Sequence, residues 1–497
     1  MPLSKFLMSI SELIMFGNWL AEGNLKNKIN NFWKNKPALI LSSLYLLHII
    51  GLVYTSNFTD ASYDIRTKLP LFVLPLIIST SQPIPEKIFK SILKLFVAAV
   101  LFGTVVSTLI LTDIIHRPIV DVRGISIFIS HIRFALLICV AVFISSYYLF
   151  FSEKKGEKII WIAIILWLIT SLVLMESLTG IMVLSVTVIV LMLYKTFTAK
   201  SKVLKYGILF LFLGIVFFAY TSVSKIINER TKNMEVVDYL KMQKYTAHGN
   251  PYEYSTTTKL TENGHLIWIY FCESELIESW DKRSEIKYNK KDKKGNPLSY
   301  TLVRFLTSKG LRKDGDAVAS LSDDEIRAIE RGVPNVNYQS ISNLKGRIYE
   351  TLWELDLYKT TGDANGHSLT QRFEYWKVAI SIIKNNLVFG VGTGDVQKSF
   401  DEEFVKMNSK LAPEWRLHSH NQYLSIAVAF GLIGLIWFLL TLFYPMIKLK
   451  MTFDYLYITF FIIATLSFFT EDTLETQAGV TFYGFLNSFF LFARKRN

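Results

Sequence analysis

Long apolar runs separated by short basic segments dominate the chain, and they stop once, for nearly two hundred residues. A bilayer-crossing helix needs roughly 20 mainly apolar residues. Such runs fall at 37–56, 69–81, 89–112, 125–150, 158–175, 178–195, 204–221, 422–447, 453–470 and 475–493. The run at 69–81 is short and contains Pro70 and Pro75. Residues 5–20 predict either an eleventh span or a helix lying in the interface. The pattern predicts an all-α polytopic membrane protein with about 10–12 transmembrane helices and a large, mainly helical external insert. The expected divisions are an N-terminal transmembrane bundle at 1–221, a loop domain at 222–421 and C-terminal transmembrane helices at 422–497.

Charge orients these spans. Lys26, Lys28, Lys34 and Lys36 precede the first clear span, and Lys87, Lys90, Lys154, Lys155, Lys158, Lys195, Lys200, Lys202 and Lys205 recur at every second connection. Lys448, Lys450, Arg494, Lys495 and Arg496 fall on the same side. The positive-inside rule makes that side the cytoplasm. The C-terminus is then cytoplasmic, and 57–68, 113–123, 222–421 and 470–477 face outward.

Composition agrees. Of the 497 residues, 51% are hydrophobic and 19% charged, and mean hydropathy is +0.32. A soluble chain carries about a quarter charged residues. The net charge of +13 sits in the short connections, which argues against nucleic acid as a partner and for membrane lipid. Cys139 and Cys272 lie far apart and offer neither a disulfide framework nor metal-ligand spacing. No cleavable signal peptide is expected, because the first stretch is amphipathic and lacks a small-residue cleavage site.

The insert carries the marks of a folded segment. Leu266–Cys272 reads as a strand and Lys294-Gly-Asn-Pro297 as a turn. Ser322 and Glu325 form a capping-box pattern ahead of a helix that should end at Gly332, with Pro334 beyond it. A second helix is predicted over 370–385, where Phe373, Trp376, Ile380 and Ile383 recur at helical spacing.

Three clusters could carry chemistry. The first is Arg416-Leu-His-Ser-His-Asn-Gln-Tyr-Leu424, directly before a span. Its His420 can accept a proton near neutral pH, or can simply anchor the helix at the interface while Gly431 and Gly434 let it pack closely. In the second, Arg372 has a fork-shaped head suited to phosphate oxygens, and the turn of Gly390, Gly392 and Gly394 could present amides to an anion. A surface arginine and a plain glycine turn are the competing readings. In the third, His131 and Arg133 lie inside an apolar span, where a central charge costs about 2.5–3.5 kcal/mol, so Arg133 should face a polar cavity or an anionic ligand. Asp314-Gly-Asp316 has a metal-binding spacing but lies in a charged turn, and His418 with His420 lacks a recognisable third zinc ligand.

With these residues in view the chain resembles the O-antigen ligase and polymerase superfamily, especially its ligase-like members of Bacteroidota type. The resemblance is densest in HIRFAL at 131–136, SLTG at 177–180, QRFEYW at 371–376, GVGTGD at 390–395 and HSHNQYL at 418–424. His420 and Asn421, then nine residues, Gly431, two residues and Gly434 complete the ligase signature. The resemblance implies a metal-independent glycosyltransferase without a cofactor. It would move a glycan from undecaprenyl pyrophosphate to an acceptor such as lipid A–core on the periplasmic face. Matched by position, it implies a base role for His420 and pyrophosphate binding by Arg372, with Asn421, His131, His418, Gly392 and Gly394 in support. Many members carry an intramembrane arginine in a Ser-Arg-x-Gly-like segment. This chain has Ser177-Leu178-Thr179-Gly180 there, so either Arg133 supplies that arginine from another helix or the donor is held differently.

The same superfamily admits a polymerase of O-antigen or exopolysaccharide. From another class, an exporter or flippase predicts internal repeats and charges spread through many spans. A receptor would need a cytoplasmic output module, and the cytoplasmic segments are short.

Overall fold

The computed structural model describes residues 2–119, 122–198, 201–231, 237–256, 260–338 and 344–495. The chain is an all-α polytopic membrane protein, mostly helical, with a single two-stranded hairpin among the described residues. Seven of those helices are long and apolar enough to cross a membrane: Lys36–Tyr54, Glu86–Leu111, His131–Phe151, Lys155–Leu174, Leu178–Thr198, Lys205–Ser222 and Gln422–Lys448. The expected spans at 69–81, 453–470 and 475–493 shorten to Pro70–Thr80, Tyr455–Thr470 and Gln477–Phe492, and residues 5–20 form the helix Lys5–Ala21. At about 1.5 Å per residue, a helix of 16 residues reaches only about 24 Å.

The chain divides into two compact units. The first gathers Met1–Arg117, Ile125–Leu191 and Gln371–Asn497. Its helix His131–Phe151 is buried along most of its length, and an all-round apolar sequence is what such a position selects. The second comprises Pro118–Gly124 and Met192–Thr370. Trp280, Leu302, Phe305, Leu306 and Trp353 lie in its buried core. Arg304 is buried there too, paired to Glu262 at 2.6 Å and laid over the Trp353 ring at 3.4 Å.

The capping box forms as predicted. The Ser322 hydroxyl accepts from Glu325 N, the Glu325 carboxylate accepts from Ser322 N, and the helix Asp323–Glu330 ends ahead of Gly332 at φ +79°. The strand predicted at Leu266–Cys272 shrinks to His265–Leu266, paired with Thr261–Glu262. The backbone beyond it bonds to Ser255, Glu253 and Lys313 in turn, so no single partner strand sustains a ladder.

The second predicted helix runs from Ser368 to Asn385, but its buried stripe is Gln371, Tyr375, Val378, Ala379 and Ile382. Ile380 is exposed, and Phe373, Trp376 and Ile383 are half-buried. The stripe is set by its neighbours: the Tyr375 ring packs on Phe404 and on His420, and that face turns inward.

Gly431 does allow close packing, a Cβ there falling 2.2 Å from Val388 O, but it does so at a break in the helix. Its backbone at φ 64°, ψ −163° breaks the helix Gln422–Lys448. Backbone groups freed at membrane depth must find protein partners. Here Leu432 N donates to Leu387 O at 2.8 Å, and Val391 N and Gly392 N donate to Val428 O and Ala429 O at 2.9 Å each. The segment 387–392 therefore closes the break.

Candidate active site

His420 closes the loop before the broken helix. Asn421 is the N-cap: its side chain accepts from Leu424 N at 3.1 Å, and its amide donates to Phe469 O at 3.1 Å. Gln422 then bridges to the connection after the helix Tyr455–Thr470. Its amide donates to Glu475 Oε1 at 2.9 Å, and its carbonyl accepts from Leu474 N at 2.7 Å. Ser419 is pinned from the other side, its carbonyl accepting from Trp376 Nε1 at 2.9 Å. Between these anchors His420 takes φ +46°, a left-handed conformation rare outside glycine and frequent at functional sites.

The anchoring places His420 against an acidic pair absent from the sequence-derived candidates. Nδ1 lies 3.5 Å from Glu471 Oε2 and 3.6 Å from Asp472 Oδ1. Arg372 reaches the same pair, donating from Nη2 to Glu471 Oε1 at 2.5 Å. Arg372 and His420, chosen separately from the sequence, thus meet on one carboxylate. Donor atoms of His420, Glu471 and Asp472 lie within 4.8 Å of one another, a spacing also compatible with a cation. The Arg372 guanidinium already supplies one to Glu471. A signal for the pair did exist: two adjacent carboxylates directly end an apolar run, where charge is expensive.

Electrostatics revise one expectation. Burial alone would depress the His420 pKa, but Asp472 and Glu471 outweigh it and raise the value to about 9. His420 is therefore an imidazolium at neutral pH, not a group that titrates there. Burial would push the Asp472 carboxyl up, yet His420 beside it holds it below its ordinary value.

Arg133 lines a narrow cleft with Ile129, Thr473, Gly479 and Phe482. Its Nη1 donates to Ser130 Oγ at 2.9 Å, its buried Nε meets no partner among the described residues, and it lies in the field of Glu471 and Asp472. The His131 Nε2 lies 2.8 Å from Met175 O. His418 packs its ring on Phe400.

The glycine turn offers no open cradle for an anion. Gly392 N is spent on Ala429 O, and Gly394 N donates to Thr55 Oγ1 at 2.9 Å. What these glycines allow is close approach, since a Cβ on Gly394 would lie 2.0 Å from Asn57 O. Asp395 anchors the turn by accepting from Ser56 N and Ser56 Oγ. Asp314 is likewise structural: it caps a short helix through Ala317 N and accepts from the Tyr252 hydroxyl.

Residues 320–439 match the model of the Wzy_C family, described as O-antigen ligase. That range contains Arg372, Gly392, Gly394, His418, His420 and Asn421, and it excludes Arg133, Glu471 and Asp472. No curated protein matches the chain at a significant level.

Proposed function

We propose that this chain, an O-antigen ligase-like membrane protein by its residues 320–439, transfers a glycan from undecaprenyl pyrophosphate to an acceptor hydroxyl at the outer membrane face. The observation that carries the reading is the meeting of Arg372 and His420 on Glu471. An arginine fit for phosphate oxygens and a histidine fit for a hydroxyl proton stand at one place.

In this reading the acceptor oxygen forms a bond to the anomeric carbon while the bond from that carbon to the diphosphate oxygen breaks. The electron pair leaves with the lipid diphosphate. Arg372, with Arg133 from the membrane side, offsets the charge that develops there, and fixed cations in a site of low polarity are effective at this. The acceptor proton passes to neutral His420. The carboxylates make that form scarce at neutral pH and strongly basic, so transfer speeds up as pH rises toward about 9. The energy resides in the carrier linkage, and neither nucleotide nor cofactor enters the balance. Lipid A–core is the acceptor we favour.

Surface-glycan analysis tests this in a host lacking the gene and complemented with wild type, His420→Ala or Arg372→Ala, with lipid extracts probed for carrier-linked glycan. Long carrier-linked chains, bare lipopolysaccharide and failure of both variants support a ligase. Accumulation of single repeat units identifies a polymerase instead. Full complementation by both variants sinks the site.

A further inference from the structure

Asp472 has no assigned part in this chemistry, yet the fold goes to some length to hold it beside His420. The residues after His420 are stitched to both flanks of the acidic pair. Asn421 bonds to Phe469 before it, and Gln422 bonds to Leu474 and Glu475 after it. Glu471 N is fixed to Ser467 O at 2.8 Å, and Asp472 O accepts from Glu475 N at 3.0 Å. Asp472 itself is buried, with 8% of its surface exposed. A buried carboxylate without a partner is costly, so its place beside the histidine has a reason.

The two carboxylates are not equivalent. Glu471 is shared between His420 and Arg372, and a diphosphate that drew Arg372 away would leave it without that partner. Asp472 forms no direct ion pair with an arginine among the described residues: Arg133 acts on it only through the field, and His420 Nδ1 stands 3.6 Å away. Asp472 alone can keep the imidazole oriented throughout a reaction in which Arg372 changes partners.

We propose that Asp472, with Glu471 beside it, is the positioning carboxylate of His420: from 3.6 Å it is placed to draw in a hydrogen bond from Nδ1–H, fix the ring and leave Nε2 to take the acceptor proton. This rests on His420 serving the acceptor. The other charged or titratable groups around the imidazole are His418 on its own loop, Arg372 and Tyr375 on the helix Ser368–Asn385, and Arg133, which acts on the carboxylates from the helix His131–Phe151. None of these carries the negative charge by which a carboxylate holds an imidazolium N–H.

The test reads His420 directly, by hydrogen–deuterium exchange at its ring C2 position against pH, using the full chain in lipid nanodiscs and fragment mass spectra that separate it from His418. Wild type should show a midpoint near 9, against 6.5 for an ordinary histidine. Asp472→Asn should lower it by about one to three pH units, the range a single nearby charge commands, and Asp472→Glu should restore it. An unmoved midpoint in Asp472→Asn overturns the proposal. If that variant does not reach the membrane, Asp472→Ser is read in its place, and an unmoved midpoint there overturns the proposal equally. Glycan transfer by His420→Ala is measured alongside. If that variant is inactive while the midpoints do not move, the positioning role alone fails. If it transfers normally, the base role and the proposal fall together.

Discussion

Arg372 donates to Glu471 at 2.5 Å across 99 residues of sequence, from a helix ahead of the Gln422–Lys448 span to a turn behind the following one. Both side chains are largely sheltered from solvent, with 21% and 12% of their surfaces exposed. A lysine at this position keeps the charge and loses the fork. Arg372→Lys is therefore expected to lose at least one charge-assisted hydrogen bond, about 1.5–3 kcal/mol, or roughly ten- to hundredfold in transfer rate. Transfer measured in membranes supplied with carrier-linked glycan checks this. A rate equal to wild type removes Arg372 from the donor site.

The pH dependence of stability follows from His420. Its folded pKa lies above the ordinary 6.5, at about 9, so the folded chain binds this proton more tightly than the unfolded one. The stabilisation is fully present below 6.5 and is lost as pH rises through about 9. Melting temperature in detergent should fall across that window for wild type and stay flatter for His420→Gln. Parallel curves for the two proteins contradict the pairing.

Gly431 is the only residue type the helix break tolerates. Alanine would place its Cβ 2.2 Å from Val388 O, at a φ of +64°. The strain is worth about 1–3 kcal/mol before the clash is counted. Gly431→Ala should melt early or fail to accumulate, as fluorescence-detected size exclusion would show, whereas Gly207→Ala, where a Cβ meets nothing within 4 Å, should behave as wild type.

In the second unit, Glu262→Gln leaves the Arg304 guanidinium buried and unpaired. Removing one partner of such a pair costs about 3–5 kcal/mol. Protease should then cut within 237–370 at lower temperature than in wild type, a change that limited proteolysis followed by mass spectrometry would resolve.

The sequence by itself determined the membrane class, the positions of the long spans and the capping box at Ser322 and Glu325, and it singled out Arg372 and His420 as candidates. Each is a local property: twenty apolar residues cross a bilayer, and a serine three residues before a glutamate caps a helix, whatever the rest of the chain does. Tertiary structure alone decided the remainder. The helix Ser368–Asn385 buries Tyr375 because Phe404 and His420 wait there, and periodicity cannot tell which of two mixed faces turns inward. The glycine turn spends its amides on a broken helix whose break no pattern announces. Glu471 and Asp472 read as charges in an outer connection until packing brought them 3.5 and 3.6 Å from an imidazole some fifty residues earlier. A pKa belongs to an environment, and that environment was assembled from three separate stretches of chain.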